Sequence, residues 1–255
     1  MTNKRVVMTY ETTSSRHRFR FFSCLMTLAI VTSGCQTKVD PAPNAGFING
    51  ALLSQASDLP FQKVWRKKGV NFRSYKEIFI SPVNTEFLLK MSLWEETGRG
   101  ARIRQDIGEL AEYAHDRLEK AFREDARYRF SVVDTPSSKS LVLELAIVEL
   151  VPSKAALNVA GLIPLTAIPA SILGLSARST VAFEARVRDG YSGEILGLFA
   201  DRVGAKISIF NVKNYSWYSH AESILAEWAA QFVEVLGKDR ETVVKGSGWF
   251  ELKPW

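Results

Sequence analysis

The chain is poor in the side chains on which most recognisable chemistry depends. It has two cysteines, Cys24 and Cys35, and three histidines, His17, His115 and His220, among 255 residues. That scarcity excludes the repeated Cys and His spacing of a structural zinc site. No H-E-x-x-H, P-loop, dinucleotide fingerprint or G-x-S-x-G elbow occurs, and each of those motifs is needed to place its chemistry. Gly98-x-Gly100 stands before a helical pattern, where free backbone N–H groups attract anions, but two glycines read first as a chain reversal. His115 lies near Glu112, Asp116 and Glu119 and reads as a solvated helix residue, while His220 falls in the first turn of a second helix. No catalytic, cofactor-binding or metal-ligating residue is assigned.

Acidic residues are nearly absent from the N-terminus. Residues 1–20 carry Lys4, Arg5, Arg16, Arg18 and Arg20 against Glu11 alone, and the uncharged run FFSCLMTLAIVTSG follows. A basic segment, an apolar segment and small residues before a cut are the parts of a secretory signal. The run falls short of the roughly 20 apolar residues of a spanning helix, so cleavage is expected rather than retention. Val31-Thr32-Ser33-Gly34-Cys35 resembles the lipobox of bacterial lipoproteins, with Thr32 where leucine is commonest. The resemblance implies that residues 1–34 are removed and that Cys35 begins the mature chain, carrying a diacylglycerol and an acylated amino group. Two or more acyl chains hold a protein firmly to a membrane where one does not. Gln36, in the sorting position, is not the aspartate that resembles an inner-membrane retention signal. The expected destination is therefore the outer membrane, with the domain facing the periplasm. The competing reading is an ordinary secretory leader in which Cys35 has no special role.

Without the leader the basic excess nearly vanishes. The leader holds 5 of the 33 Lys and Arg and 1 of the 27 Asp and Glu, leaving 28 against 26. This argues against a nucleic-acid partner. Loss of Cys24 and lipidation of Cys35 leave no pair for an internal disulfide, so a core must hold the fold even in an oxidising compartment.

Residues 35–46 comprise the lipidated cysteine and the polar stretch QTKVDPAPNAG, which reads as a flexible tether. Residues 47–255 then form one envelope domain, opening with a short helix or irregular segment over 47–61. YKEIFISPV, 75–83, is a strand with apolar residues on both faces, and 84–97 reads as loop with room for a strand or a helical turn. From Ala101 to about Ala126, Ile103, Ile107, Leu110, Ala114, Leu118 and Phe122 make one apolar stripe of helical period. Strands are expected over 128–134 and 141–151. Glu144 and Glu149 fall on opposite parities of the second, which calls for a bulge or a strand end near 149. Thr180 to Arg188 alternates cleanly, Asp189 to Gly193 is a loop of hairpin length, and 194–203 returns as its partner. A last helix spans 219–236, with Ser219 and Glu222 at capping-box spacing and Gly237 at the C-cap. These elements make an α/β fold of the α+β type, a small mixed or antiparallel sheet packed against two long helices.

The order of YKEIFISPV, the long helix, LVLELAIVEL, a glycine- and alanine-rich stretch, VAFEARVRDGYSGEILGLFADRV and AESILAEWAAQF resembles the DUF3313 family of bacterial lipoproteins. The resemblance implies an envelope location and no assigned activity.

Residues 155–177, AALNVAGLIPLTAIPASILGLSA, carry no charge. Their length suits a span, but Pro164, Pro169 and a position between two strands of one sheet favour a crossover. That crossover either folds onto the domain, dips into lipid or mediates self-association. The aromatic run at Tyr215, Trp217 and Tyr218 reads equally as a second candidate contact surface or as ordinary packing at a helix entrance, amphipathic aromatics serving both. The leading functional reading is a non-enzymatic envelope component that binds another protein or itself, anchored by lipid on Cys35. A module for a small apolar or lipid-like ligand is the alternative, and an enzyme of unfamiliar chemistry stands third. Placing charged residues at Leu162 and Ile163 is expected to abolish assembly while leaving a soluble fold, as size-exclusion chromatography would report; loss of folding instead would assign the segment to the core.

Overall fold

The computed structural model describes residues 36–38, 40–90, 100–127, 129–152, 178–206, 218–238 and 243–244. The chain divides into two units, Met1–Ser33 and Gly34–Trp255, and every described residue lies in the second. Seven strands are present among them: β1 (Gln36–Lys38), β2 (Lys63–Arg66), β3 (Glu77–Ile80), β4 (Ser131–Val132), β5 (Ser140–Val151), β6 (Arg178–Asp189) and β7 (Ile195–Lys206). The α-helices are a single turn, α1 (Glu86–Leu89), and two long elements, α2 (Gly100–Arg123) and α3 (Ser219–Gly237), with short 3-10 turns at Gly50–Leu52 and Phe72–Ser74. One mixed sheet runs β1-β7-β6-β5-β3-β4, with β2 also pairing β7. β3 is parallel to β4 and β5, and the other pairings are antiparallel. The expected α/β fold, a mixed sheet against two long helices, is what is found.

The alternation of β6 decides which face meets the helices. Val181, Phe183, Ala185 and Val187 are buried in the core beside Leu141, Leu143, Leu145 and Ile147 of β5. The register then slips, from Ile147 opposite Phe183 to Glu149 opposite Ala182. This bulge resolves the conflict of parity seen in the sequence. It puts Glu149 on the same outer face as Glu144 and returns Leu150 to the core opposite Val181. All six residues of the α2 stripe are buried against that core. From α3, Trp228 meets Phe183 at 4.6 Å between centroids and Phe232 meets Phe61 at 4.8 Å. Each buried aromatic of this kind contributes about 1.5–3 kcal/mol, so this cluster fixes α3 more firmly than any surface pair.

Two polar devices complete the helix side. Asp201 of β7, 4 % exposed, accepts from the Trp228 indole at 3.1 Å and from the Gln62 backbone at 3.1 Å. The Arg129 guanidinium donates twice to Asp125 after α2, at 2.7 and 2.9 Å, and once to Glu234 of α3 at 3.1 Å. Its hydrogen bonds hold the Asp125 carboxyl below its ordinary range.

Several expected boundaries move. The strand over 75–83 contracts to β3, although Ser81 and Asn84 still donate to Leu143 and Leu145; Pro82 has no N–H to give. The strand over 128–134 is only β4, while the helical turn allowed within 84–97 is present as α1. Neither β1 nor β2 is expected from sequence, and residues 36–38 and 40–46, read there as tether, lie against the sheet. Residues 155–177 and 245–255 are outside the described residues.

The β6–β7 hairpin is closed by Asp189. One carboxylate oxygen accepts from the backbone of Tyr191 at 3.0 Å and of Ser192 at 2.7 Å, and the other from the Tyr75 hydroxyl at 2.6 Å. Gly193 completes the turn at φ +71, a conformation open to glycine at little cost. The Ser192 N–H and then Tyr75 hold the Asp189 pKa down to about 2, from an ordinary 3.8. A carboxyl with a lowered folded pKa stabilises above its unfolded value and loses that contribution as pH falls through the folded one. Denaturant midpoints of Asp189→Asn are therefore expected to fall less steeply than those of the native chain between pH 3.8 and about 2. Parallel slopes would remove Asp189 from the acid response.

Candidate functional site

The outer face of the sheet carries the most concentrated polar arrangement in the described chain. Strand alternation turns Glu184, Arg186 and Arg188 of β6 away from the helices, and the bulge in β5 adds Glu149 to Glu144 on that face. Glu144 pairs with Arg186 directly across the strands and with Arg188 at 2.7 Å. Glu149 pairs with Arg202 at 2.8 Å and accepts from the Thr180 hydroxyl. These pairs are partly exposed, where an ion pair contributes up to about 1 kcal/mol.

Glu184 differs from them in being 2 % exposed. Residues 44–48 lie over it and direct four donors at its carboxylate. Asn44 Nδ2 and the Ala45 N–H reach Oε1 at 3.0 and 2.6 Å, and the N–H groups of Phe47 and Ile48 reach Oε2 at 2.9 and 3.1 Å. Gly46, at φ +94, turns the backbone so that N–H groups on both sides of it converge, a nest of the kind that binds anions. The Arg186 guanidinium stacks over Phe47 at 4.8 Å from the ring centroid, and Phe47 meets Phe87 edge-on. With both oxygens occupied, Glu184 is a clamp for the chain and has no lone pair aimed at an outside substrate.

The sequence places Glu184 only on an outward face. Its role depends on a segment nearly 140 residues away, and the local hint is the Asn44-Ala45-Gly46 turn.

The residues singled out from sequence have different fates. Gln36 begins β1, with its Cα opposite Ala205. Tyr218 precedes α3, and its hydroxyl donates to Glu109 of α2 at 3.2 Å. Burial and that carboxylate raise its pKa to about 12, so it is neutral and tied to the helix layer. Cys35, Leu162, Ile163, Tyr215 and Trp217 lie outside the described residues. His115 has a ring nitrogen 3.2 Å from the Ile80 carbonyl. His220 has both ring nitrogens buried with no hydrogen-bond partner among the described residues. Burial lowers its pKa to about 4, which leaves the ring neutral at pH 7. No group of three or more His, Cys, Asp or Glu able to hold a metal occurs among the described residues.

Chain direction gathers several features at one end of the sheet. β1 starts there at Gln36, opposite Ala205. β6 enters there with Arg178 opposite Lys206, the last residue of β7. β5 leaves there at Val151, opposite Thr180. The Asp189–Gly193 hairpin occupies the other end.

Comparison with protein families matches residues 43–232 to DUF3313, described as a protein of unknown function. The chain belongs to the DUF3313 family. The match opens at Pro43, next to the residues that cover Glu184, and closes at Phe232 in α3. No curated relative matches. Among solved structures, the DUF3313 chain is similar to a single-substitution variant of the PelC dodecamer from Paraburkholderia phytofirmans, at 10 % identity over 68 % of this chain and 95 % of that one, with a TM-score of 0.36. The PelC dodecamer from the same organism follows at 11 % identity, covering 69 % and 96 %, with a TM-score of 0.34. Similarity at this level carries no argument about assembly.

Removing the Glu184 carboxylate leaves three backbone donors without their acceptor, the Ile48 N–H buried and those of Ala45 and Phe47 part-buried, and a buried stranded donor costs about 1–3 kcal/mol. Glu184→Ala is expected to lose about 3 kcal/mol in denaturant unfolding, with Glu184→Gln intermediate. A loss below about 0.5 kcal/mol, the range of ordinary surface changes, would show that the clamp contributes nothing.

Proposed function

We propose that this DUF3313 protein is exported, cut before Cys35 and held to the outer membrane by lipid on that residue. There it serves as a non-enzymatic envelope component that binds another protein or further copies of itself, with its domain in the periplasm. The observation that carries the reading is the position of β1. The folded sheet begins at Gln36, the residue directly after the cysteine at the end of the lipobox-like run. No helix among the described residues is long and apolar enough to cross a membrane.

Three of the four perturbed carboxylates serve the fold. Asp125 is held by Arg129, Asp58 by Lys238 and Arg66, and Asp189 by its own hairpin and Tyr75. All three have lowered pKa values and are spent on structure, whereas burial raises that of Glu222 at the start of α3. An open groove of about 540 Å³ beside Pro41, Leu53, Leu59 and Phe61 is what favours the second reading, a module for an apolar ligand.

Both readings are tested by cross-linking in intact cells fed labelled palmitate, comparing the native chain with Cys35→Ser. The native protein is expected to take up label and to yield adducts with an envelope protein or with itself, and the variant to take up none. Labelled protein recovered only as monomer and lipid adducts would replace assembly with ligand binding. Absence of label on the native chain would remove the anchor.

A further inference from the structure

A second cleft, separate from the groove beside Phe61, lies where the loop after β2 meets the end of α3. Its volume is about 290 Å³, at the small end of the roughly 300–1,000 Å³ of ordinary ligand sites. Three of the residues lining it are cations, Arg66, Lys67 and Lys238, and none is an acid. The fold brings them together by different routes. β2 ends at Arg66. The Lys67 N–H is held by the Leu196 carbonyl at 2.9 Å, and the turn that follows closes from the Val70 N–H to the Lys67 carbonyl, with Gly69 at φ +80. Lys238 arrives directly after the last residue of α3. Its side chain is 3 % exposed, and its ammonium spends two of its three N–H groups on Asp58, at 2.7 Å to the carboxylate and 3.3 Å to the carbonyl. Arg66, with five N–H donors, gives one bond to the same carboxylate at 3.0 Å. Asn71 turns its amide oxygen to the Arg73 N–H at 3.2 Å, so its NH2 is the group it has left for a ligand. The rest of the wall is apolar, with Phe72 and Val235 buried and Val70 packed against the core.

We propose that this cleft binds a small carboxylate whose apolar body lies against Val70, Phe72 and Val235. The assignment follows from the balance of donors and of charge. Arg66, Lys67 and Lys238 can only donate, and Asn71 has its donor to spare, so the group that fits is one that only accepts. Asp58 and Glu194 are outside the lining. Asp58 pairs with Arg66 and Lys238, and Glu194 with Lys67, so together they offset two of the three lining charges. One positive charge remains, which a monoanion meets and a phosphate dianion overshoots. A planar carboxylate also suits the fork of a guanidinium. A ligand held here would tie the loop after β2 to the end of α3, the two elements that Asp58 already bridges. The site depends neither on the lipid anchor nor on the assembly proposed above.

The test is a ligand-observed NMR titration of the full chain, purified in detergent, with benzoate as the probe, benzamide as its neutral counterpart and inorganic phosphate as competitor. Benzoate is expected to bind saturably, and benzamide about ten-fold more weakly or worse, the equivalent of one charge-assisted hydrogen bond. Arg66→Gln is expected to weaken benzoate by a similar factor. Lys120→Gln, which removes an exposed cation from α2, is expected to leave it unchanged. Should Arg66→Gln fail to fold, as circular dichroism would report, Lys67→Gln takes its place. The Lys67 side chain is 42 % exposed, and its loss is expected to weaken benzoate about three-fold, the range of a partly exposed ion pair. No saturable binding of benzoate, equal binding of benzamide, or an affinity that the cleft variant and Lys120→Gln lower alike would each overturn the proposal. Displacement by phosphate at concentrations below those at which benzoate binds would overturn the carboxylate assignment and show the apolar wall to be idle.

Discussion

A carboxylate withdrawn from water must be met by donors, and in this molecule that requirement is concentrated at one rung of the β6–β7 ladder. Glu184 stands opposite Ala200, and the neighbouring rung pairs Phe183 with Asp201. The two acids therefore point to opposite faces of the sheet from adjacent positions. Glu184 gathers the backbone of residues 44–48 onto the outer face. Asp201 gathers Gln62 and the Trp228 indole onto the inner one. Since the chain between residues 48 and 62 is caught at both ends, β1 before it and β2 after it are delivered to the same edge of β7. Burying charge is costly unless it is fully met, and here meeting it fixes how three layers are stacked. The region matched to DUF3313 opens beside the outer clamp and closes within the helix held by the inner one.

The remaining ion pairs work at a smaller scale. Arg129 links the end of α2 to Glu234 on α3, and Lys238 links the end of α3 to Asp58 and its carbonyl. Both lie at the edges of the aromatic cluster and close the helix layer where its apolar contacts run out. Their pairing accounts for the lowered carboxyls of Asp125 and Asp58.

How much of this is legible in the sequence follows from the range of the interactions. The α2 stripe and the alternation of β6 are local, because period alone reports which side of an element is buried. The bulge in β5 is also visible, since Glu144 and Glu149 cannot share a face without one. By contrast, β2 is four residues of mixed character, Lys63-Val64-Trp65-Arg66, and β1 is three. Such segments become strands only because β7 offers them a partner. The contraction of the strand over 128–134 to β4 has the same cause, as only Ser131 and Val132 find partners on β3. Alternation assigns Glu184 to the correct face, but nothing near it in sequence announces the segment that covers it. The buried Asp201 is equally silent, its donors arriving from residues 62 and 228.

The sharing of β7 between two short strands has a further consequence. A long strand left open on one side is a template for another chain, and such edges seed fibrils. Here the outer side of the 12-residue β7 is taken up by segments of three and four residues. The opposite margin of the sheet is β4, only two residues long. Neither margin offers an incoming strand more than a few hydrogen bonds in register. A protein made of three long antiparallel strands is in this way kept from growing by strand addition, and intermolecular pairing would first require the N-terminal segment to peel away.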